Sequence, residues 1–328
     1  MVRVVYIAGD GRSGTTVLSQ ILGSYPGCLA VGELYDFWTE CLDGDRLCSC
    51  GVPLRDCQFW NTVLEQTLGS TEPALLRYIA ELRGAVQNTY HLPFVLFPRL
   101  RPKSFDRQFR EYVEILERLY TTIQEVSGCE VIVDSSKLAA YALALNESPI
   151  IDVDLVHVSR DSRACAYSWR RLKREPIAGD QPRYLQQRKL MQVALVWSIR
   201  NMILAAISGR FETSVKLHYE TFVGQPRLVM GQLAARLGLQ GHDERWTSDN
   251  EVLVSASNHI FAGNPNRVQH GLIQIRPDDE WRRQMPIYQQ RFVYALSLPA
   301  LWMLGYLGAR TAQSETTDPV PLVGDQVG

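Results

Sequence analysis

The chain has 328 residues, of which 46% are hydrophobic and 21% charged, with 23 Gly and 16 Pro. This composition excludes a collagen, a low-complexity disordered chain and a small disulfide scaffold. Thirty-four basic residues against 35 acidic ones leave a net charge of −1, so no global basic field draws in nucleic acid. An anion site has to be built locally.

Taken in chain order, residues 2–8 are β-branched and apolar and stop at Gly9-Asp10-Gly11. They predict a buried strand rather than a signal peptide, which would need a longer apolar core and a cleavage site. Residues 14–22 predict a helix and 29–31 a short second strand. Residues 70–105, interrupted by Pro93, Pro98 and Pro102, predict an irregular lid. They lie inside an insert, 35–130, that faces the acceptor. Tyr112, Val113, Leu116, Leu119, Tyr120 and Ile123 fall on one helical face, which Gly128 ends. Residues 131–133, 154–159 and 215–219 read as further strands, each followed by a helix.

Strands alternating with helices predict an α/β fold: a single domain over 1–310, with a central parallel sheet flanked by helices. The tail, 311–328, is rich in Thr, Ser, Asp, Pro and Gly and predicts disorder. The stretch nearest to a membrane span is 292–307, but it contains Pro299 and reads as a C-terminal core helix. The expectation is a soluble, cytoplasmic protein with no transmembrane segment.

Seven cysteines in such a chain are ordinarily free thiols. Four of them, Cys41, Cys48, Cys50 and Cys57, crowd into one segment. Paired zinc ligands usually stand two to four residues apart, followed by a second pair. The Cys-x-Cys here fits that spacing poorly, so free thiols, a local disulfide and a metal all stay open. No His/Asp/Glu cluster has transition-metal spacing, and the expectation is that no metal is required.

The sharpest signal is Gly9-Asp10-Gly11-Arg12-Ser13-Gly14-Thr15-Thr16, set between a strand and a helix. Glycines let the backbone close around an anion, and the free N–H groups of the helix start point at it. Gly9 and Gly14 have the Walker spacing, yet Thr15 stands where a Walker loop carries its lysine. The loop's cation is Arg12. Such a site holds a 5′-phosphate group without the usual triphosphate and magnesium arrangement.

The run from Arg12 through Ser13, Gly14 and Thr15 to Thr16 resembles the 5′-phosphosulfate loop of the sulfotransferases that use 3′-phosphoadenosine-5′-phosphosulfate (PAPS), in particular their bacterial members. That family has a second signature, an Arg closing a strand and a Ser on the next helix, which together hold the 3′-phosphate. Arg160 and Ser168 stand at that spacing and in that order. Leu217-His218-Tyr219-Glu220 resembles the strand end whose Tyr lies by the adenine, with Thr221 in place of the usual Asp. Asn258-His259 and Gly263-Asn264-Pro265-Asn266-Arg267 resemble a late block that closes over the nucleotide, and Arg267 is the candidate second cation at the 3′-phosphate.

The resemblance implies a sulfuryl transfer from PAPS, as co-substrate, to an acceptor hydroxyl or amine on a carbohydrate, lipid or small molecule. Glu33, 21 residues after Arg12 and following Gly32, matches the Glu that acts as base in several branches of the family. Asp134-Ser135-Ser136-Lys137 stands where relatives carry Asp-Lys-Thr-Pro. Lys137, reaching back, or Ser135 and Ser136 then meet the leaving group. His157 lies within a strand and is not at the place of the family's alternative base. The basic run Arg163, Arg170, Arg171, Lys173 and Arg174 reads as a solvated helix face, or as a guide for an acidic acceptor, rather than a nucleic-acid surface. A small-molecule kinase on the same loop, or an inactive nucleotide-binding protein, is the other reading.

Overall fold

The computed structural model describes residues 1–87, 89–177, 183–241 and 243–307. Five parallel strands form its centre: β1 (Val2–Gly9), β2 (Cys28–Gly32), β3 (Val131–Lys137), β4 (Ile151–Ser159) and β5 (Thr213–His218). Across the sheet they run β2-β3-β1-β4-β5. Helix α1 (Thr15–Leu22) follows β1. The insert after β2 holds α2 (Phe37–Asp43), α3 (Gln58–Leu68), α4 (Pro73–Gln87), α5 (Leu92–Leu96) and α6 (Lys103–Ser127). Then come α7 (Ala139–Asn146) after β3, α8 (Ser162–Arg170) and α9 (Leu190–Ile207) after β4, and α10 (Tyr219–Gly224) and α11 (Pro226–Arg236) after β5. A three-stranded antiparallel sheet, Trp246–Ser248, Glu251–Val254 and Gly271–Gln274, precedes α12 (Glu280–Gln284) and α13 (Ile287–Met303).

The period of two along each strand sorts its side chains between two cores. Val4, Tyr6 and Ala8 of β1 join Leu29 and Val31 of β2 and Val153 and Leu155 of β4 in a core shared with the insert helices. Val5 and Ile7, with Val133 and Val156, face the opposite core, built with α1 and α11. The central strands are therefore apolar on both faces, as the continuous run in residues 2–8 predicts.

The expected irregular stretch at 70–105 is corrected: it is largely helical. Pro73 begins α4, Pro93 lies in the first turn of α5, Pro98 opens a 3₁₀ turn, and Pro102 immediately precedes α6. A proline in the first helical turn forfeits only an N–H that would have had no helical partner. The predicted face of α6 is buried, and Gly128 caps the helix with φ 66°.

The reading of 292–307 as the nearest approach to a membrane span is also corrected. Among the described residues, Leu190–Arg210 is the helical stretch long and apolar enough for one. Its Val193, Ala194, Trp197, Leu204 and Ile207 are buried, while Met191, Leu195 and Ile199 are exposed. α13 carries Pro299 and buries Val293, Ser297, Ala300 and Leu301, while Phe292, Leu298 and Trp302 stay exposed. The expected tail at 311–328 lies outside the described residues.

Candidate functional site

In a parallel sheet, the carboxyl ends of the strands open together on one edge, where ligands of such folds bind. Here the five ends deliver Gly9 and its loop from β1, Glu33 just after β2, Lys137 from β3, Arg160 just after β4 and Tyr219 just after β5. Five segments far apart in sequence thus meet at one rim.

The loop from Gly9 to Gly14 is shaped by close contacts. Gly14 precedes α1 at φ 84°, and a Cβ there would meet the Tyr219 ring at 2.6 Å. A Cβ on Gly11 would strike the Trp169 ring at 2.5 Å. Arg12 holds φ 74°, rare for a residue with a side chain. Its guanidinium lies 4.9 Å from the Trp169 ring centre, and Arg188 lies 4.1 Å from the same ring. Ser13 is fully buried, with Oγ 3.7 Å from Cys165 Sγ, and Thr15 is buried on the first turn of α1. Oγ1 of Thr16 accepts from the Asn264 N–H at 3.1 Å, which ties the late block to the loop.

Arg160 is buried and spans the site. It donates to the Arg12 carbonyl and to the Asp278 carbonyl, both at 3.0 Å, and pairs with the Asp278 carboxylate at 3.3 Å. Its guanidinium also stacks 4.3 Å from the Tyr219 ring centre. Ser168 is buried on α8, one residue before Trp169, and is not among the hydrogen-bond partners of Arg160. Glu220 accepts from the Asp161 N–H at 2.9 Å and from the Tyr306 hydroxyl at 3.0 Å, which fixes the start of α8 against β5.

At the opposite side, Lys137 Nζ is hydrogen-bonded to Oε1 of Glu33. Lys137 sits at φ 72° and pairs in register with Ala8 of β1, so its side chain starts beside the loop. Gly263 passes close by: a Cβ there would lie 3.1 Å from Thr16 Oγ1 and 3.2 Å from Glu33 Oε1. The turn that presents Lys137 is held by buried Asp134, which accepts from the Ser136 N–H at 2.7 Å, from the Ser136 hydroxyl at 2.6 Å and from the Tyr120 hydroxyl. Burial raises the Asp134 carboxyl to about 6. Ser136 Oγ in turn accepts from the Tyr35 N–H at 2.9 Å. Ser136 is thereby spent on the turn, and Lys137 is the residue presented.

The structure places two groups differently from the sequence expectation. Arg267 is fully buried, paired with buried Glu175 at 2.8 Å and donating to the Leu47 and Pro176 carbonyls at 3.3 Å. Its charge is already neutralised inside the protein, so it is not a free cation for a phosphate. The basic run is not one solvated helix face, because α8 ends at Arg170. Arg163 pairs with Asp161 at 2.6 Å and Arg171 with Glu280 at 3.0 Å. Lys173 is half-buried, and burial, then the Arg12 charge, pull its ammonium down to about 8. His157 is buried on β4 with Nε2 2.9 Å from Asn201 Oδ1, and burial lowers it to about 4. It belongs to the interior.

Sequence reasoning missed Trp169, Lys173, Arg188 and Asp278 as neighbours of the site. Trp169 and Lys173 had a signal, their place just after the Arg160–Ser168 signature. Arg188 and Asp278 had none. Taken together, the rim brings several cations and unused donors together: Arg12 Nε, Arg160 Nε and Trp169 Nε1 are buried without a hydrogen-bond partner in the protein. Buried donors of this kind call for an acceptor, and crowded cations call for an anion.

No family model matches the sequence, and no curated protein matches it. Among solved structures, the fold is similar to a sulfotransferase domain from the Synechococcus PCC 7002 olefin synthase, with TM-score 0.50 and 17% identity over 94% of each chain. It is also similar to a sulfotransferase domain from the curacin biosynthetic pathway, with TM-score 0.44 and 13% identity over 90% of this chain and 97% of that one. The first of these likenesses gives the architecture: a five-strand parallel sheet flanked by helices, in the sulfotransferase fold.

Proposed function

We propose that the protein is a sulfotransferase that moves a sulfuryl group from PAPS to an acceptor hydroxyl. The observation that carries this reading is the rim itself. Orphaned buried donors on Arg12, Arg160 and Trp169 lie at one end of the strand edge, and the Glu33–Lys137 pair lies beyond the loop. A donor with a phosphosulfate at one end and a 3′-phosphate at the other satisfies both the donors and the cations. The loop N–H groups and Arg12 hold the 5′-phosphosulfate, Arg160 with Ser168 holds the 3′-phosphate, and Tyr219 flanks the adenine.

In the transfer, the acceptor oxygen attacks sulfur in line, and its proton passes to Glu33. The bond between sulfur and the bridging oxygen breaks, and the negative charge left on the 5′-phosphate is met by Arg12, Lys137 and the loop N–H groups. Lys137 serves twice, orienting Glu33 before the step and facing the departing phosphate after it.

A kinase on the same scaffold would bind a nucleoside triphosphate with Mg²⁺, and Thr15 stands where its lysine would be. Calorimetry with 3′,5′-adenosine bisphosphate and with ATP–Mg²⁺ separates the two, the first ligand binding and the second not. Turnover of sulfur-labelled PAPS against an acceptor panel then separates an enzyme from a binder. Preferential binding of ATP–Mg²⁺ would overturn the proposal.

A further inference from the structure

The four groups Cys48, Cys50, Cys57 and His259 have donor atoms that all lie within 4.8 Å of one another. The three cysteines come from the start of the insert, whereas His259 comes from the late block, 202 residues after Cys57. Spacing along the chain therefore hides the fourth ligand, which comes from a segment far from the cysteines. All seven cysteines are free, and Cys50 Sγ and Cys57 Sγ are 3.7 Å apart, well beyond a disulfide bond.

Three of the six donor–donor distances match a single ion, and all six lie within 4.8 Å. With metal–sulfur bonds of about 2.3 Å and metal–nitrogen bonds of about 2.0–2.1 Å, a tetrahedron has edges of about 3.8 Å between sulfurs and about 3.5 Å between sulfur and nitrogen. The observed edges are 3.7 Å for Cys50–Cys57, 3.5 Å for Cys57 to His259 Nδ1 and 3.7 Å for Cys48 to the same nitrogen.

The surroundings support the ligand positions. Cys48 to Val52 forms a tight turn, with the Cys48 N–H on the Val52 carbonyl at 2.8 Å and Gly51 at φ 93°. Cys57 immediately precedes α3, where the helix start favours a thiolate. The His259 ring is stacked on Phe59 at 4.3 Å between centres, which fixes its plane with Nδ1 toward the sulfurs. Cys50 is exposed and a surface depression lined by Cys50, Cys57 and His259 opens beside it, so an ion has an entry path.

We infer that Cys48, Cys50, Cys57 and His259 form a Cys₃His site for a structural zinc ion that clamps the insert to the late block. Three thiolates and an imidazole select zinc over hard cations, and four protein ligands leave no position open for catalysis. The clamp has a clear mechanical consequence. Ser49 exchanges backbone and side-chain hydrogen bonds with Ile260 at 2.8 Å, and the His259 N–H meets the Ala30 carbonyl of β2 at 3.0 Å. Ile260 and Ala262 press on Gly32, next to Glu33. The ion would therefore hold the block that closes on Glu33 and Thr16, without touching the reacting groups.

The test is metal analysis of the full chain purified with zinc in the medium. One zinc per chain is expected, retained in Cys41→Ser and lost in Cys57→Ser and His259→Ala. Strong chelator should lower the melting temperature of the parent but not of the zinc-free variants. Should those variants fail to fold, Cys50→Ser, altered at the exposed ligand, keeps the question open to measurement. It should fold and release zinc to a chromogenic chelator at least tenfold faster than the parent. Cobalt(II) loaded into the parent should show thiolate-to-metal charge transfer and intense tetrahedral bands. Substoichiometric zinc with four freely titrating thiols in the segment, a Cys50–Cys57 disulfide in the native protein, or zinc retained by Cys57→Ser would each overturn the site.

Discussion

The ammonium of Lys137 is hydrogen-bonded to the Oε1 atom of Glu33, joining the carboxyl ends of two neighbouring strands. Lys137 adopts φ 72°, a conformation that costs about 1–3 kcal/mol for a residue other than glycine. Strain retained at a strand end beside the Gly9–Gly14 loop points to a working pair. Glu33→Gln keeps size and hydrogen bonding but removes the base. Transfer to an alcohol should fall by about 10²–10⁴, while affinity for 3′,5′-adenosine bisphosphate stays within a few-fold. Lys137→Gly should leave the melting temperature unchanged or raised, since it relieves the strain, yet still slow transfer. Near-parent turnover by Glu33→Gln would remove it as the base.

Arg160 pairs with Asp278 at 3.3 Å, so the proposed 3′-phosphate would have to compete with a carboxylate. Arg160→Ala should weaken 3′,5′-adenosine bisphosphate by roughly ten- to a hundred-fold, as expected for a charge-assisted hydrogen bond, and 5′-AMP much less. Asp278→Asn should do the opposite and tighten the bisphosphate several-fold. Calorimetry with the two nucleotides decides. Equal losses for both in Arg160→Ala would assign the residue to the Arg12 carbonyl and the fold alone.

The loop, the parallel sheet and the residues at its strand ends were legible because each is encoded locally. Gly9 to Gly14 fixes a turn, alternation fixes a strand, and Glu33, Arg160 and Tyr219 each stand directly after one. What stayed hidden depends on pairs distant in sequence. Nothing near Arg267 announces Glu175, nothing near Cys57 announces His259, and nothing near Arg160 announces Asp278. The helices at 73–96 were obscured for a different reason. Their prolines read as breakers, whereas the same residue in a first turn starts a helix.

The buried Arg267–Glu175 pair makes a stability prediction distinct from any donor contact. Removing one partner leaves an uncompensated buried charge, so Arg267→Met should cost about 3–5 kcal/mol. The double variant Arg267→Met with Glu175→Leu should recover much of that loss, as chemical denaturation would measure. At a temperature where both are folded, donor affinity should match the parent. A selective loss of bisphosphate binding in the double variant would restore Arg267 to the 3′-phosphate.

Lys173 gives the site a pH dependence whose sign follows from its position. Burial, then Arg12, hold its ammonium at about 8 in the free protein, below its ordinary 10.5. A bound polyanion favours the charged form, so the pKa rises on binding and the complex takes up a proton near and above pH 8. Affinity for 3′,5′-adenosine bisphosphate should therefore be flat below about pH 8. It should weaken as pH rises from there, by up to tenfold per unit, until the pKa of the complex is passed. Folding runs the other way. Charged Lys173 disfavours the free folded state at lower pH, and that penalty disappears between about pH 8 and 10.5. The free protein thus gains stability from this group over the same window in which it loses its ligand. Lys173→Met should remove the decline in affinity above pH 8 and abolish the proton uptake, which calorimetry in buffers of different ionisation enthalpy reads directly. A pH profile in Lys173→Met identical to that of the parent would show that another group, and not this lysine, senses the anion.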